Sequence, residues 1–218
     1  MALARTGMLE GTWLRADRQS AGRGRAGREW SSPIGNFSGS TLVRLRPSDP
    51  APASLALVAG IAVHAAVASF YPTAELRLKW PNDLLLGGVK LAGILLERSE
   101  DAVVVGIGVN LAHHPMLPDR QTTSLAAHGA SVDRDTFTPA LVDRFAHWLE
   151  RWRSDGLTST RAAWLERAFP VGTAVTTRLP DGARVDGMFD GLDPAGALLL
   201  RLASGERRVI HAGDVFLL

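Results

Sequence analysis

The sequence predicts an α+β fold: a mixed, largely antiparallel central sheet flanked by helices, followed by a small SH3-like β-barrel. Three observations carry this. Residues 76–80, 84–86, 89–97 and 102–109 are four strand-like runs in succession. Pro81-Asn82-Asp83, Gly87-Gly88 and Ser99-Glu100-Asp101 separate them, which is the turn chemistry of an antiparallel meander. Residues 54–70 form an apolar stretch of helical length. After Pro170 the chain changes to short strands broken by Pro180-Asp181-Gly182, Asp193-Pro194-Ala195-Gly196 and Ser204-Gly205.

The other elements follow in order. Residues 11–16 read as a short strand leading into a loop, 17–39, rich in Gly, Ser and Arg. Residues 40–45 alternate as a strand, and 47–52 form a linker to the apolar helix. Residues 113–128 are irregular. Thr138 is the expected N-cap of a second helix, with Pro139 at its first position. That helix runs to about Ser154, with Leu141, Phe145, Trp148 and Trp152 on one face. A third helix is expected over 159–169. The division is a main domain, 1–169, and a C-terminal domain, 170–218, too small to be more than marginally stable alone.

Composition narrows the function classes. A hydrophobic content of 46% supplies a core. The net charge of +2 carries no large basic excess, which argues against a nucleic-acid partner. Absence of Cys excludes disulfides and thiolate metal sites. The N-terminus lacks a signal-peptide pattern, and Pro52, Ser54 and His64 within residues 51–70 favour a buried helix over a membrane span. The expected location is cytoplasmic. None of the six His residues has metal-ligand spacing.

Three segments carry chemistry. The chain has 22 Arg but only two Lys, Lys79 and Lys90, on either side of one hairpin. Lys is a compact point charge and Arg a planar fork, so the choice of Lys at these places points to a need for an ammonium. A compositional bias of the gene towards Arg is the alternative. Asn82 and Asp83 stand beside Lys79; Asp83 is a candidate Mg²⁺ ligand, and an ordinary Asx turn is the alternative.

In the second segment, Gly22-x-Gly24-x-x-Gly27 matches a dinucleotide-binding expression. Ser31, Ser32, Pro33 and Gly35 follow instead of a helix, so that reading is rejected. Gly alternating with Arg23, Arg25 and Arg28 suits a backbone folded around an anion, flanked by Gln19 and Trp30. A solvated arginine loop is the alternative. With no evident apolar anchor, the loop is expected to move until a ligand binds. Finally, Gly106 and Gly108 lie near the end of a buried strand before Asn110, a sign that something approaches the backbone closely.

Taken in order, these segments resemble the biotin protein ligases, the biotin–[acetyl-CoA carboxylase] ligase family. The resemblance rests on Gln19, Gly22-Arg-Gly-Arg-Ala-Gly-Arg28 and Trp30, then Ser32-Pro33 and Gly35-Asn36, then Lys79-Trp-Pro-Asn-Asp83 and Lys90-Leu-Ala-Gly-Ile-Leu95. Gly106-Ile-Gly-Val-Asn110, Thr123-Ser-Leu125 and Ala212-Gly-Asp-Val215 complete it. It implies a class II synthetase-like catalytic domain that joins biotin to ATP and passes biotin to a lysine of a biotin carboxyl carrier protein. It places Lys90 and Arg25 in catalysis, and Gln19, Gly22, Arg23, Gly24, Arg25, Trp30, Lys90, Gly93 and Ile94 at biotin. Arg28, Lys79, Asn82, Asp83 and Asn110 fall on the ATP side, with Mg²⁺ at Asp83.

The resemblance also implies no DNA or membrane partner, and it allows a homodimer. Family members carry a Ser-Thr-Asn segment upstream of the Gln, and larger ones an N-terminal DNA-binding helix-turn-helix. The expectation here is a short form with a truncated N-terminal edge, in which residues 9–12 are the tail of a helix. A lipoate- or octanoate-transferring relative, an Arg-based nucleic-acid-binding module and a catalytically impaired biotin-binding module are the alternatives.

Overall fold

A computed structural model describes residues 7–118 and 120–218. The expected segment ahead of residue 7 lies outside the described residues, and residues 9–12 form a turn, not the end of a helix. Strands β1 (Trp13–Arg15), β2 (Phe37–Arg44), β3 (Leu76–Lys79), β4 (Asp83–Leu86), β5 (Val89–Ser99) and β6 (Ala102–Val109) make one sheet. Its order is β1-β2-β6-β5-β4-β3. Every ladder is antiparallel, and the parallel pairings are isolated bridges at Leu78–Ala168 and Lys90–Thr122. The expected meander is β3 to β6. Gly87 and Gly88 close its central hairpin with φ of 57° and 79°, values that a two-residue turn demands and glycine adopts without strain.

The sheet has two unlike faces. Val103, Val105, Ile107 and Val109 point into the core with Ile94 and Phe37. Helix α1 (Leu55–Phe70) shares that core and is buried nearly all round, from Leu55 to Val67. With the preceding turn, Pro52–Phe70 is long and apolar enough to cross a membrane by length and composition, but here those side chains fill the space between the sheet and helices α2 (Arg134–Ser154) and α3 (Leu157–Glu166). Trp152 of α2 is fully buried and donates its indole N–H to Ser54 Oγ at 2.8 Å, fixing the start of α1. The opposite face carries Ser38, Ser40, Gly93, Leu95, Gly106 and Gly108 in adjacent register. These are mostly small residues, and they leave the face open.

Helix α2 begins earlier than expected. Asp133 is its N-cap, accepting hydrogen bonds from the Asp135 and Thr136 amides at 2.8 and 2.9 Å. Thr138 and Pro139 lie inside the helix. Thr138 Oγ1 donates to the Arg134 carbonyl at 2.6 Å, a back-bond that lets the Thr-Pro pair sit within the helix. Helix α3 is displaced likewise, ending at Glu166, because the chain beyond it crosses to β3: the Leu78 amide donates to the Arg167 carbonyl.

Beyond Pro170, β7 (Ala174–Arg178), β8 (Arg184–Leu192), β9 (Leu198–Arg201), β10 (Arg207–Ile210) and β11 (Asp214–Leu217) form a second antiparallel sheet, ordered β10-β9-β8-β7-β11. Its last strand and its β8–β9 turn reach the first sheet: Lys79 Nζ donates to the Val215 carbonyl at 3.0 Å, and Trp80 Nε1 to the Gly196 carbonyl at 3.2 Å.

Candidate active site

The open sheet face is the floor of a cleft of about 930 Å³. Its walls are the Gly/Arg loop, Pro115, Leu117 and Arg120 to Thr122, and strand β11. Every sequence-predicted site residue except Gly22 lines it.

Lys90 reaches the cleft because β5 is bulged. Leu85 pairs with Lys90, but Leu84 pairs with Ala92, so one residue of β5 is extra. Plain alternation would put Lys90 on the core face with Ala92 and Ile94; the bulge puts it on the open face with Asp83 and Gly93. Lys90 Nζ then lies 2.5 Å from Asp83 Oδ1, and Lys79 Nζ lies 3.1 Å from Asp83 Oδ2. Burial alone would raise the Asp83 carboxyl, yet the two ammonium groups hold it below its ordinary value. Burial pushes Lys90 below the usual lysine value, with Asp83 opposing.

Asp83 is also the expected Mg²⁺ ligand. Both Asp83 oxygens face lysines, and among the described residues no group of three His, Cys, Asp or Glu is placed to hold a metal ion. A Mg²⁺ ion at Asp83 would have to displace an ammonium from one of its oxygens and draw its remaining ligands from water and the phosphates of the nucleotide.

The Gly/Arg loop is a small hairpin. The Trp30 amide donates to the Gly22 carbonyl at 2.9 Å and the Gly24 amide to the Arg28 carbonyl at 2.7 Å. Gly22 has no room for a side chain: a β-carbon there would sit 2.3 Å from the Trp30 carbonyl oxygen. Ala26 and Gly27 turn the tip with φ of 54° and 71°. No helix follows, as the rejection of a dinucleotide fingerprint requires.

The loop has anchors that its sequence does not announce. Arg28 Nη2 meets Asp214 Oδ1 at 2.9 Å, and Arg25 Nη1 lies 3.6 Å from the same oxygen. Arg25 also donates to the Gly213 carbonyl and to Asn82 Oδ1, each at 3.3 Å. Arg23 is exposed on the cleft side, and Gln19 is exposed at the loop's start. Trp30 supplies the apolar anchor. Its ring lies on Gly108, where a β-carbon would be 2.4 Å away, and its edge is against Gly93, at 3.2 Å. The Lys90 ammonium stands 5.8 Å from the ring centre, within cation–π range.

Two of the expected site residues also have internal partners. Asn110 is buried; its Nδ2 donates to the Thr123 carbonyl at 3.0 Å, and Asn36 Nδ2 donates to its Oδ1 at 3.4 Å. Its amide therefore holds the segment that pairs with Lys90, whose carbonyl accepts from the Thr123 amide at 2.9 Å. Ile94 points its side chain into the core, and its carbonyl accepts from Asn82 Nδ2 at 2.7 Å.

Sequence reasoning named Asp214 and Asn36 only within motifs and gave neither a role. Asp214 gathers Arg25, Arg28 and Arg178 from far along the chain. Three guanidiniums in a loop with one nearby carboxylate, Glu29, were the available signal. Asn36 Oδ1 accepts from the Ala112 and His113 amides at 3.0 and 2.9 Å, stitching two loops at the cleft's end.

Comparison with known proteins agrees with this architecture. Residues 8–111 match the Biotin/lipoate A/B protein ligase family, and residues 171–218 match the Biotin protein ligase C terminal domain. A biotin--[acetyl-CoA-carboxylase] ligase of Paracoccus denitrificans is 41% identical over 96% of this chain and 92% of its own length. One from Mycobacterium tuberculosis is 37% identical over 95% of this chain and 79% of its own. The structure of biotin protein ligase from Aquifex aeolicus in complex with biotin and ATP superposes with a TM-score of 0.87 at 27% identity, covering 100% of this chain and 93% of that one. On this evidence of sequence, fold and cleft, the chain belongs to the biotin protein ligase family.

Proposed function

We propose that this protein is a biotin–[acetyl-CoA carboxylase] ligase. It joins biotin to the α-phosphate of ATP, giving biotinyl-5′-AMP and pyrophosphate. It then transfers the biotinyl group to a lysine of a biotin carboxyl carrier domain. The observation that carries this reading is the set of cations gathered at one open sheet face: Lys90, Lys79, Arg25 and Arg28 line a single cleft.

Adenylation brings a carboxylate against a phosphate and builds negative charge on the α-phosphate in the transition state. Fixed cations aimed at that position lower the barrier most, because they need no reorganisation. In this reading Lys90 meets both the biotin carboxylate and the phosphate, and Arg25 stabilises the developing charge. Gln19, Gly22, Arg23, Gly24, Trp30, Gly93 and Ile94 shape the biotin half, with Gly93 and Ile94 acting through backbone. Arg28, Lys79, Asn82, Asp83 and Asn110 form the nucleotide half, where Asp83 seats the two lysines and Asn110 holds the loop. No step is routed through a metal ion at Asp83.

The reading divides the chain into a catalytic unit, 1–169, and a C-terminal unit, 170–218, whose β11 completes the cleft wall. ATP and the carrier protein as substrates support a cytoplasmic enzyme, and the net charge of only +2 supports one without a DNA partner, working as a monomer or homodimer. The deciding experiment incubates the protein with ATP, Mg²⁺ and one of biotin, lipoate or octanoate, and follows pyrophosphate release. Release with biotin alone is expected; release only with lipoate or octanoate overturns the assignment.

A further inference from the structure

We propose that Asp83 protects the enzyme from its own product: by pairing with both lysines of the chain, it keeps them from attacking the acyl-adenylate formed beside them. The inference rests on the adenylation chemistry proposed above.

An acyl-phosphate anhydride reacts with any neutral amine within reach. This chain presents very few. Its 22 arginines remain protonated and are poor nucleophiles, and Lys79 and Lys90 are its only lysines. Both line the cleft in which the anhydride would form. A buried lysine tends to lose its proton and become a nucleophile, the route by which catalytic lysines arise.

Here one carboxylate, with its side chain only 11% exposed, meets Lys90 at 2.5 Å and Lys79 at 3.1 Å. The charged groups acting on Lys90 are Asp83 from β4, Lys79 from β3 and Arg120 from the loop before Thr122. The two cations favour loss of its proton, and Asp83 opposes it. Arg25 also lies close enough to feel the Asp83 charge directly. While the pair holds, the nitrogen lone pair of Lys90 carries a proton and cannot attack. Without it, Nζ adds to the acyl carbon and the bond from that carbon to the phosphate oxygen breaks. AMP departs with that oxygen, and the nitrogen gives its proton to solvent, leaving an amide on Lys90. The lysine that contacts the reacting groups would then be lost.

The test compares wild type with Asp83→Asn, each given biotin and ATP without an acceptor. Adenylate is followed by pyrophosphate release, and adducts are located by peptide mass spectrometry. Lys90 of the variant is expected to acquire biotin about tenfold faster or more per adenylate present, because each unit of lowered pKa raises the neutral fraction about tenfold. The adduct should grow with pH and vanish in Asp83→Asn/Lys90→Ala. Both proteins are also treated with pre-made biotinyl-5′-AMP and with N-hydroxysuccinimidyl acetate, which need no adenylation. Equal labelling of Lys90 in the two proteins by these reagents overturns the inference. Absence of pyrophosphate release from wild type with biotin would instead overturn the adenylation reading. If the variant does not fold, NMR of lysine-labelled wild type decides: only two side-chain signals exist, and a neutral Lys90 at neutral pH sinks the proposal.

Discussion

Trp30 rests directly on the backbone of Gly108, with no space between them for a methyl group: a β-carbon at Gly108 would lie 2.4 Å from the indole. The Gly/Arg loop is therefore seated on the open sheet face by one aromatic ring. Gly108→Ala must push the ring off or bend β6. The expected cost is about 1–3 kcal/mol, typical of overpacking, and biotin affinity should fall with the loss of the wall. Gly106→Ala is the control for stability, since its β-carbon would meet neighbours only at 3.5 Å or beyond. Calorimetric biotin titration and thermal unfolding of both variants check this; a Gly108→Ala protein with unchanged Tm and affinity contradicts it.

Lys90→Arg is expected to keep the fold and slow biotinyl-AMP formation about 10²–10³-fold, the usual cost of one lost transition-state contact. The guanidinium keeps the charge but spreads it over a larger plane that cannot occupy the point held by the ammonium beside Asp83. Single-turnover adenylation measures the chemical step; a rate near that of wild type refutes the role given to Lys90.

The meander, the core helix and the C-terminal sheet were legible because each is written in local periodicity and turn residues. Gly87-Gly88 names its turn, and residues 54–70 can only be a core helix or a span. Lys90 was singled out by residue type alone. Its placement depends on the bulge in β5, which no local pattern announces, and strict alternation would have buried it. The anchoring of the Gly/Arg loop was missed for the same kind of reason. Asp214 is far away in sequence, and a glycine that receives Trp30 shows only that something approaches, not what. The start of α2 was misplaced because Thr138-Pro139 and Asp133 are both good caps locally, and the side-chain bonds of Asp133 decide.

Asp214 is expected to set the mobility of that loop. Asp214→Asn removes the charge that Arg25, Arg28 and Arg178 share. Hydrogen exchange of the Gly24 and Trp30 amides, which close the loop hairpin, should then accelerate in the ligand-free protein. Biotin with ATP should restore protection in the variant and increase it in wild type, there and in residues 113–123. Unchanged exchange in the variant would mean that Trp30 alone holds the loop.

His64 gives the stability curve its acid side. It lies within the core helix, and burial, with Arg167 and Arg77 nearby, lowers its pKa from 6.5 to about 4. The unfolded chain therefore binds a proton on His64 at a higher pH than the folded protein does. Its contribution to stability is fully present above about pH 6.5 and is lost as pH falls towards 4. At 1.36 kcal/mol per pKa unit, the loss reaches about 3 kcal/mol by pH 4. His64→Leu has no proton to gain and should remove this slope between pH 6.5 and 4, leaving the carboxylates, Asp83 and Glu10 among them, to act at lower pH. Urea unfolding of both proteins across that window is the measurement. Parallel curves for wild type and His64→Leu would show that another group carries the acid sensitivity.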